Sequence, residues 1–115
     1  MSGATDEFFD GLARVSHVPA LARQRATIRF DITNHKKTEH RRVTIEAGDI
    51  TLATSGEDAD CIIAADRHVF DDILDGRLNE MASVIRGTVL VDGDPELLVL
   101  TRRLLPAVGL GGGQS

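Results

Sequence analysis

The side chains able to do chemistry in this 115-residue chain are few and scattered. Its single cysteine, Cys61, stands among Ile62, Ile63 and Ala64. A nucleophilic thiolate needs a base within hydrogen-bond reach and an electropositive setting. No histidine or aspartate can be assigned to that role, so Cys61 reads as an inert core thiol. His35 and His40 lie in a basic run with Lys36, Lys37, Arg41 and Arg42. Only Glu39 adds a carboxylate nearby, and zinc sites ask for three or four ligands, so no metal is expected. Asp71, Asp72 and Asp75 fall on one predicted helix. Isomerase chemistry of the ketosteroid type needs an acid such as tyrosine to donate to the oxyanion. The chain has no tyrosine, and these carboxylates read as the wet face of their helix. Gly109–Gly113 matches a phosphate loop in glycine content alone, with no Lys-Ser/Thr pair after it. No catalytic residue and no cofactor is therefore expected.

The basic run itself has two readings. Near an anionic membrane each cation gains about 1 kcal/mol, which would make His35–Arg42 a transient docking patch. The plainer reading, a solvated loop that blunts a sheet edge, is favoured.

Those residues have to be positioned by the elements around them. At 42% hydrophobic and 27% charged, the chain can build a core and stay in solution. We expect one domain over residues 1–108 and a flexible glycine-rich tail over 109–115. The net charge of −5 and an aromatic content of 3% argue against nucleic acid as a partner. No apolar run approaches the ~20 residues of a membrane span. The acidic start, Thr5-Asp6-Glu7, does not resemble a secretory signal, so a reducing cytoplasm is the expected compartment.

Thr5 is the expected N-cap of a first helix carrying Phe8, Phe9, Leu12 and Val15, ended by Val18-Pro19. Ala26, Ile28, Phe30 and Ile32 then alternate with Arg25, Thr27, Arg29, Asp31 and Thr33, the period of a strand with one buried face. Asn34–Glu39 reads as a loop. Val43, Ile45 and Ala47 alternate in a second strand, and Ile50, Leu52 and Thr54 in a third. A turn at Gly48-Asp49 would set Ala47 opposite Ile50 and Ile45 opposite Leu52. The preceding loop would set Phe30 opposite Val43 and Ile28 opposite Ile45. Ser55–Asp58 form a further loop. Ala59–Ala65 reads as an interior strand, and Asp66 caps a helix with Val69, Phe70, Ile73 and Leu74, stopped at Gly76. Asn79 opens a short helix with Met81, Ala82 and Ile85, ended by Gly87. Val89 and Val91 mark the last strand. Asp94-Pro95-Glu96 starts the last helix, with Leu97–Leu100, Leu104 and Leu105.

That last helix carries more leucine than one packed stripe requires. The excess is met either by tight core packing or by the wall of an apolar pocket.

The pattern also resembles the sterol carrier protein type-two-like (lipid-transfer) domain over Ala26–Pro106. The carrying segments are Asp60-Cys61-Ile62-Ile63, then Phe70–Gly76 (FDDILDG), then Gly87–Asp94 (GTVLVDGD). The resemblance implies an α+β fold with a five-stranded, mostly antiparallel sheet and helices covering one face. It implies an apolar tunnel for a fatty acid, a fatty acyl group or a sterol, with no cofactor. The residues expected to line it are Phe8, Phe30, Phe70, Ile73, Met81, Ile85, Val89, Leu97, Leu100 and Leu104. The chain ends Gly113-Gln114-Ser115, unlike the peroxisomal tripeptide of some relatives, and its few aromatics favour acyl chains over sterol rings. Family members also serve as accessory or dimerisation modules. The main reading is thus a non-enzymatic lipid carrier, monomeric or dimeric. An accessory interaction module of the same fold is its rival, and an isomerase or hydrolase comes third.

Overall fold

The computed structural model describes residues 3–54, 56 and 58–104. The expectations for Leu105, Pro106 and the tail from Gly109 lie outside those residues.

Helix α1 (Ala4–Val15) is followed by a single 3-10 turn (Pro19–Leu21) and by strands β1 (Arg25–Asn34), β2 (Lys37–Glu46) and β3 (Asp49–Ala53). Strand β4 (Cys61–Asp66) leads into α2 (Arg67–Leu74) and α3 (Glu80–Arg86). Strand β5 (Val89–Gly93) and helix α4 (Glu96–Leu104) complete the order. The five strands lie in the order β3-β2-β1-β4-β5. β1 pairs parallel with β4, and the remaining pairings are antiparallel. The α+β class and the mostly antiparallel five-stranded sheet are as expected.

The alternation fixes which face is covered. Ile28, Phe30, Val43 and Ile45 are buried on the helix side, whereas Thr27, Arg29 and Thr44 are half-buried and Glu46 is exposed on the other. The expected registers need correction by two residues. The first hairpin turns at His35-Lys36, so Ile28 faces Val43 and Phe30 faces Arg41. Thr38–Arg42 therefore lie in a strand that begins at Lys37, not in a loop. The second hairpin turns at Ala47-Gly48, so Ile45 faces Ile50 and Val43 faces Leu52. Ala47 (φ 53°) and Gly48 (φ 88°) both take left-handed conformations, as a two-residue turn matching strand twist demands. A shift of two preserves side-chain parity, so every strand keeps its expected face.

Helix ends also differ. α1 begins one residue before Thr5, with Gly3 as a cap that supplies no side chain. The free Thr5 N–H donates instead to Asp71 Oδ1 on α2 at 2.9 Å, and Thr5 Oγ1 bonds the same oxygen at 2.6 Å. Asp71 is thus a cap reaching across from a neighbouring helix, not part of a wet face. α1 ends at Val15, with Ser16 left-handed, before the proline is reached. Asp66 is the N-cap residue of α2 but its side chain makes no capping bond. Asn79 caps α3 as expected, accepting from the Ala82 N–H. Asp94 Oδ1 accepts from the Glu96 N–H at the start of α4.

Asp60 joins three strands: its Oδ2 accepts from the Thr27 N–H, its N–H donates to Thr27 O, and its carbonyl accepts from the Asp94 N–H. Gly93 packs directly on that carbonyl with φ 109°, and a β-carbon there would collide with it. The spacing between the Asp60 segment and the Gly93-Asp94 segment therefore has a backbone cause.

Candidate functional site

Between the sheet and its helices lies a cavity of about 50 Å³. Phe8 and Phe9 enter it from α1, Phe30 from β1, and Ile63 from β4. α2 adds Phe70, Ile73 and Leu74, β5 adds Val89, and α4 adds Leu98. Period-two burial aims Phe30 inward from β1, and helical spacing sets Phe70, Ile73 and Leu74 on one side of α2. All four phenylalanines of the chain meet here. Phe30 is central, with ring centroids 6.2 Å from Phe8, 5.4 Å from Phe9 and 6.1 Å from Phe70, each edge to face.

The polar lining is sparse: Thr5, Thr101, Glu80 and Arg102. Arg102 Nε stands 2.7 Å from Glu80 Oε1, an ion pair from α4 to α3 at the rim. That oxygen is buried and has no aligned hydrogen bond, so the pair is a charge contact only. The rest of the lining is apolar.

Five of the residues expected to line the site, Phe8, Phe30, Phe70, Ile73 and Val89, come together on the cavity. Leu97 and Leu100 do not. They border an open groove of about 500 Å³ with Gln24, Arg25 and Asp94. Leu104 is fully buried without reaching the cavity wall. The stripe of α4 on the cavity is Leu98, Thr101 and Arg102, at i, i+3 and i+4. Met81 and Ile85 lie outside, 49% and 82% exposed. α3 turns Ser83 inward instead, fully buried, with its Oγ on Asn79 O and its carbonyl accepting from Thr88. A small side chain lets this short helix approach β5, and its apolar residues are thereby turned out. Phe9, Leu74 and Leu98 are cavity residues not foreseen, although Phe9 and Leu74 already stood on predicted apolar helix faces.

The remaining candidates resolve as structure. Cys61 is fully buried, and burial first, then Asp94, Asp92 and Asp60, hold its thiol above its ordinary pKa. Such a thiol is a poor nucleophile. Asp31, on the uncovered sheet face, is raised by burial but lowered more by its bonds to Arg29 and His40, and it ends below its ordinary value. Among the described residues no group of three His, Cys, Asp or Glu side chains is placed to hold a metal. No described helix is long and apolar enough to cross a membrane.

The class is α+β, a mixed five-stranded sheet covered by helices on one face, with a small apolar, phenylalanine-walled cavity between them. The particular family follows from a match of residues 10–106 to the model of the SCP-2 sterol transfer family, and the chain belongs to that family. No curated protein matches it at a significant level. Among solved structures, sterol carrier protein 2 from Aedes aegypti, in complex with the C16 fatty acid palmitate, is 23% identical. It superposes with a TM-score of 0.69 over 93% of this chain and 98% of its own. A double mutant of the sec-alkyl sulfatase PisA1 is 25% identical over 86% of this chain, with a TM-score of 0.74, but this chain spans only 16% of its length. The ubiquinone synthesis protein UbiJ-SCP2 is 15% identical over 90% of this chain and 89% of its own, with a TM-score of 0.66.

Proposed function

We propose that the chain is a non-enzymatic, cytoplasmic carrier domain that holds an apolar lipid, a fatty acid, fatty acyl group or sterol, inside the sheet–helix layer. The observation that carries this reading is the cavity between sheet and helices, whose wall is phenylalanine and aliphatic on nearly every side. Membership of a sterol transfer family and the palmitate complex of the Aedes aegypti relative support it. Pockets for small ligands usually span about 300–1,000 Å³, so a cavity of about 50 Å³ must open to accept one. The parts to separate are α3 and α4, which meet at the rim through Glu80 and Arg102.

Native mass spectrometry of the purified chain, with lipid extraction, tests this. The expected result is co-purifying acyl lipid that disappears in Leu98→Trp, because the indole fills the cavity from α4. A bare apo mass in wild-type protein offered acyl lipid, together with a tightly held protein partner, would replace the carrier reading with the accessory module. The small cavity is the observation that favours that rival. Docking on anionic vesicles through His35–Arg42 is a separate part of the proposal. Its exposed cations are Lys36 and Lys37, with His35 and His40 exposed beside them, since Arg41 and Arg42 are half-buried.

A further inference from the structure

The two helices that meet at the rim of the cavity are anchored differently. α3 is tied down at both ends. Asn79 caps it, Ser83 Oγ donates to Asn79 O, and the Thr88 N–H and hydroxyl both donate to Ser83 O at the entry to β5. Glu80, the first residue of α3, is therefore a fixed post. α4 is tied at its start, where the Asp94 N–H donates to Asp60 O and Gly93 packs on the same carbonyl. Along the rest of its length, among the described residues, the one polar contact to another helix or strand is Arg102 with Glu80.

A charge pair is an unexpected closure for an apolar rim. The Glu80 side chain is 16% exposed and that of Arg102 59%, and Glu80 Oε1 has no aligned hydrogen bond. Two apolar side chains would seal such a rim as firmly or more so, because an ion pair with one partner in water adds little net stability and is screened by salt. Leu98, Leu100 and Leu104 are buried beneath α4 and supply adhesion without direction. The ion pair adds a contact that exists in one position of the helix and is lost when the helix lifts.

We propose that α4 is a lid that pivots at Asp94-Pro95, and that the Glu80–Arg102 pair is its latch, released by ionic strength. Lifting α4 carries Leu98 and Thr101 off the cavity they line, while α3 and the sheet stay in place. A few residues at the end of an element suffice for such a pivot. The use of this motion as an entrance rests on the lipid-carrier reading; the motion itself does not.

The test is thiol labelling of the full, ligand-free chain with iodoacetamide, an uncharged reagent, read by peptide mass spectrometry. Leu98→Cys places a thiol under α4, and Cys61, fully buried in β4, reports opening of the sheet. The introduced thiol is expected to react at least about 10-fold faster than Cys61, as local opening precedes global unfolding. Adding Glu80→Gln or Arg102→Gln should speed it about 3- to 10-fold, with Cys61 unchanged. Both together should be no faster than either alone, because each removes the same contact. A direct effect of charge on the thiol would instead move the two variants in opposite directions, since a nearby cation favours the thiolate and an anion disfavours it. Raising sodium chloride to about 0.5 M should speed labelling where the pair is intact and not in Arg102→Gln. Should Leu98→Cys fail to fold, Thr101→Cys reports from the same side of the helix. Equal rates for the two thiols, opposite effects of the two variants, or effects that add would overturn the latch. Lipid binding enters none of these readings, so the latch and the carrier reading fail separately.

Discussion

The two halves of the helical layer are built differently. On one side α1 packs closely on α2, and the first helix buries Ala4, Thr5, Phe8, Phe9, Gly11 and Leu12. Asp71 ties the two helices through Thr5, and Arg67 pairs with Asp6. On the other side α4 approaches no other element as closely, and α3 leaves Met81 and Ile85 in solvent. Val99 on α4 is 49% exposed. The same sheet thus carries one side held by rings and helix-to-helix hydrogen bonds, and one where the described part of α4 rests on a few leucines and a rim ion pair while α3 is held to β5 through Ser83 and Thr88. Regions with few buried contacts open at low free energy, so α4 is where the cavity is expected to widen.

The largest expected effect lies on the tight side. Phe30→Ala removes the ring that touches three other phenylalanines and should cost about 3–5 kcal/mol in urea unfolding. A loss below about 1 kcal/mol, the scale of an ordinary surface change, would mean that the rings are loosely packed and that the contrast between the halves is false. Next comes Asp71→Ala, which leaves the Thr5 N–H and hydroxyl without their shared acceptor. A loss of about 1–3 kcal/mol is expected. Hydrogen exchange should show the cost falling on the α1 amides rather than on α4. Equal loosening of both helices would show that the halves open as one unit.

The tight side was also the more legible one. Phe8, Phe9 and Leu12 at helical spacing and the alternation from Arg25 to Thr33 each have a single low-energy reading, because burial and period agree. Turn positions were less legible. Gly48-Asp49 has the composition of a hairpin turn, yet the left-handed residues are Ala47 and Gly48, and nothing in an alanine announces φ 53°. The parallel pairing of β1 with β4 is a long-range contact, and local periodicity does not encode it. Arg41 shared the parity of Val43 and Ile45, but the basic run around it suggested a loop, which hid its inward position. On the loose side, Met81 and Ile85 suggested an inward face that Ser83 occupies instead. Apolar residues predict burial only where they outnumber the other contacts a short helix can make, and α3 has seven residues.

The smallest expected effect is therefore the one most informative about the loose side. Ile85 is 82% exposed in the isolated chain, so Ile85→Gln removes almost no buried area. Its effect on unfolding should stay within about 0.5 kcal/mol. The glutamine replaces a β-branched stem with an unbranched one that a helix favours slightly more, a change of a few tenths of a kcal/mol that stays inside this window. Sedimentation of the wild type and the variant at several concentrations supplies the second reading. If α3 faces solvent, both proteins sediment identically and unfold independently of concentration. A drop of about 2 kcal/mol or more, growing with protein concentration, would mean that Ile85 is covered by another chain, since stabilisation by association follows mass action. In that event the loose side is an interface and not an entrance.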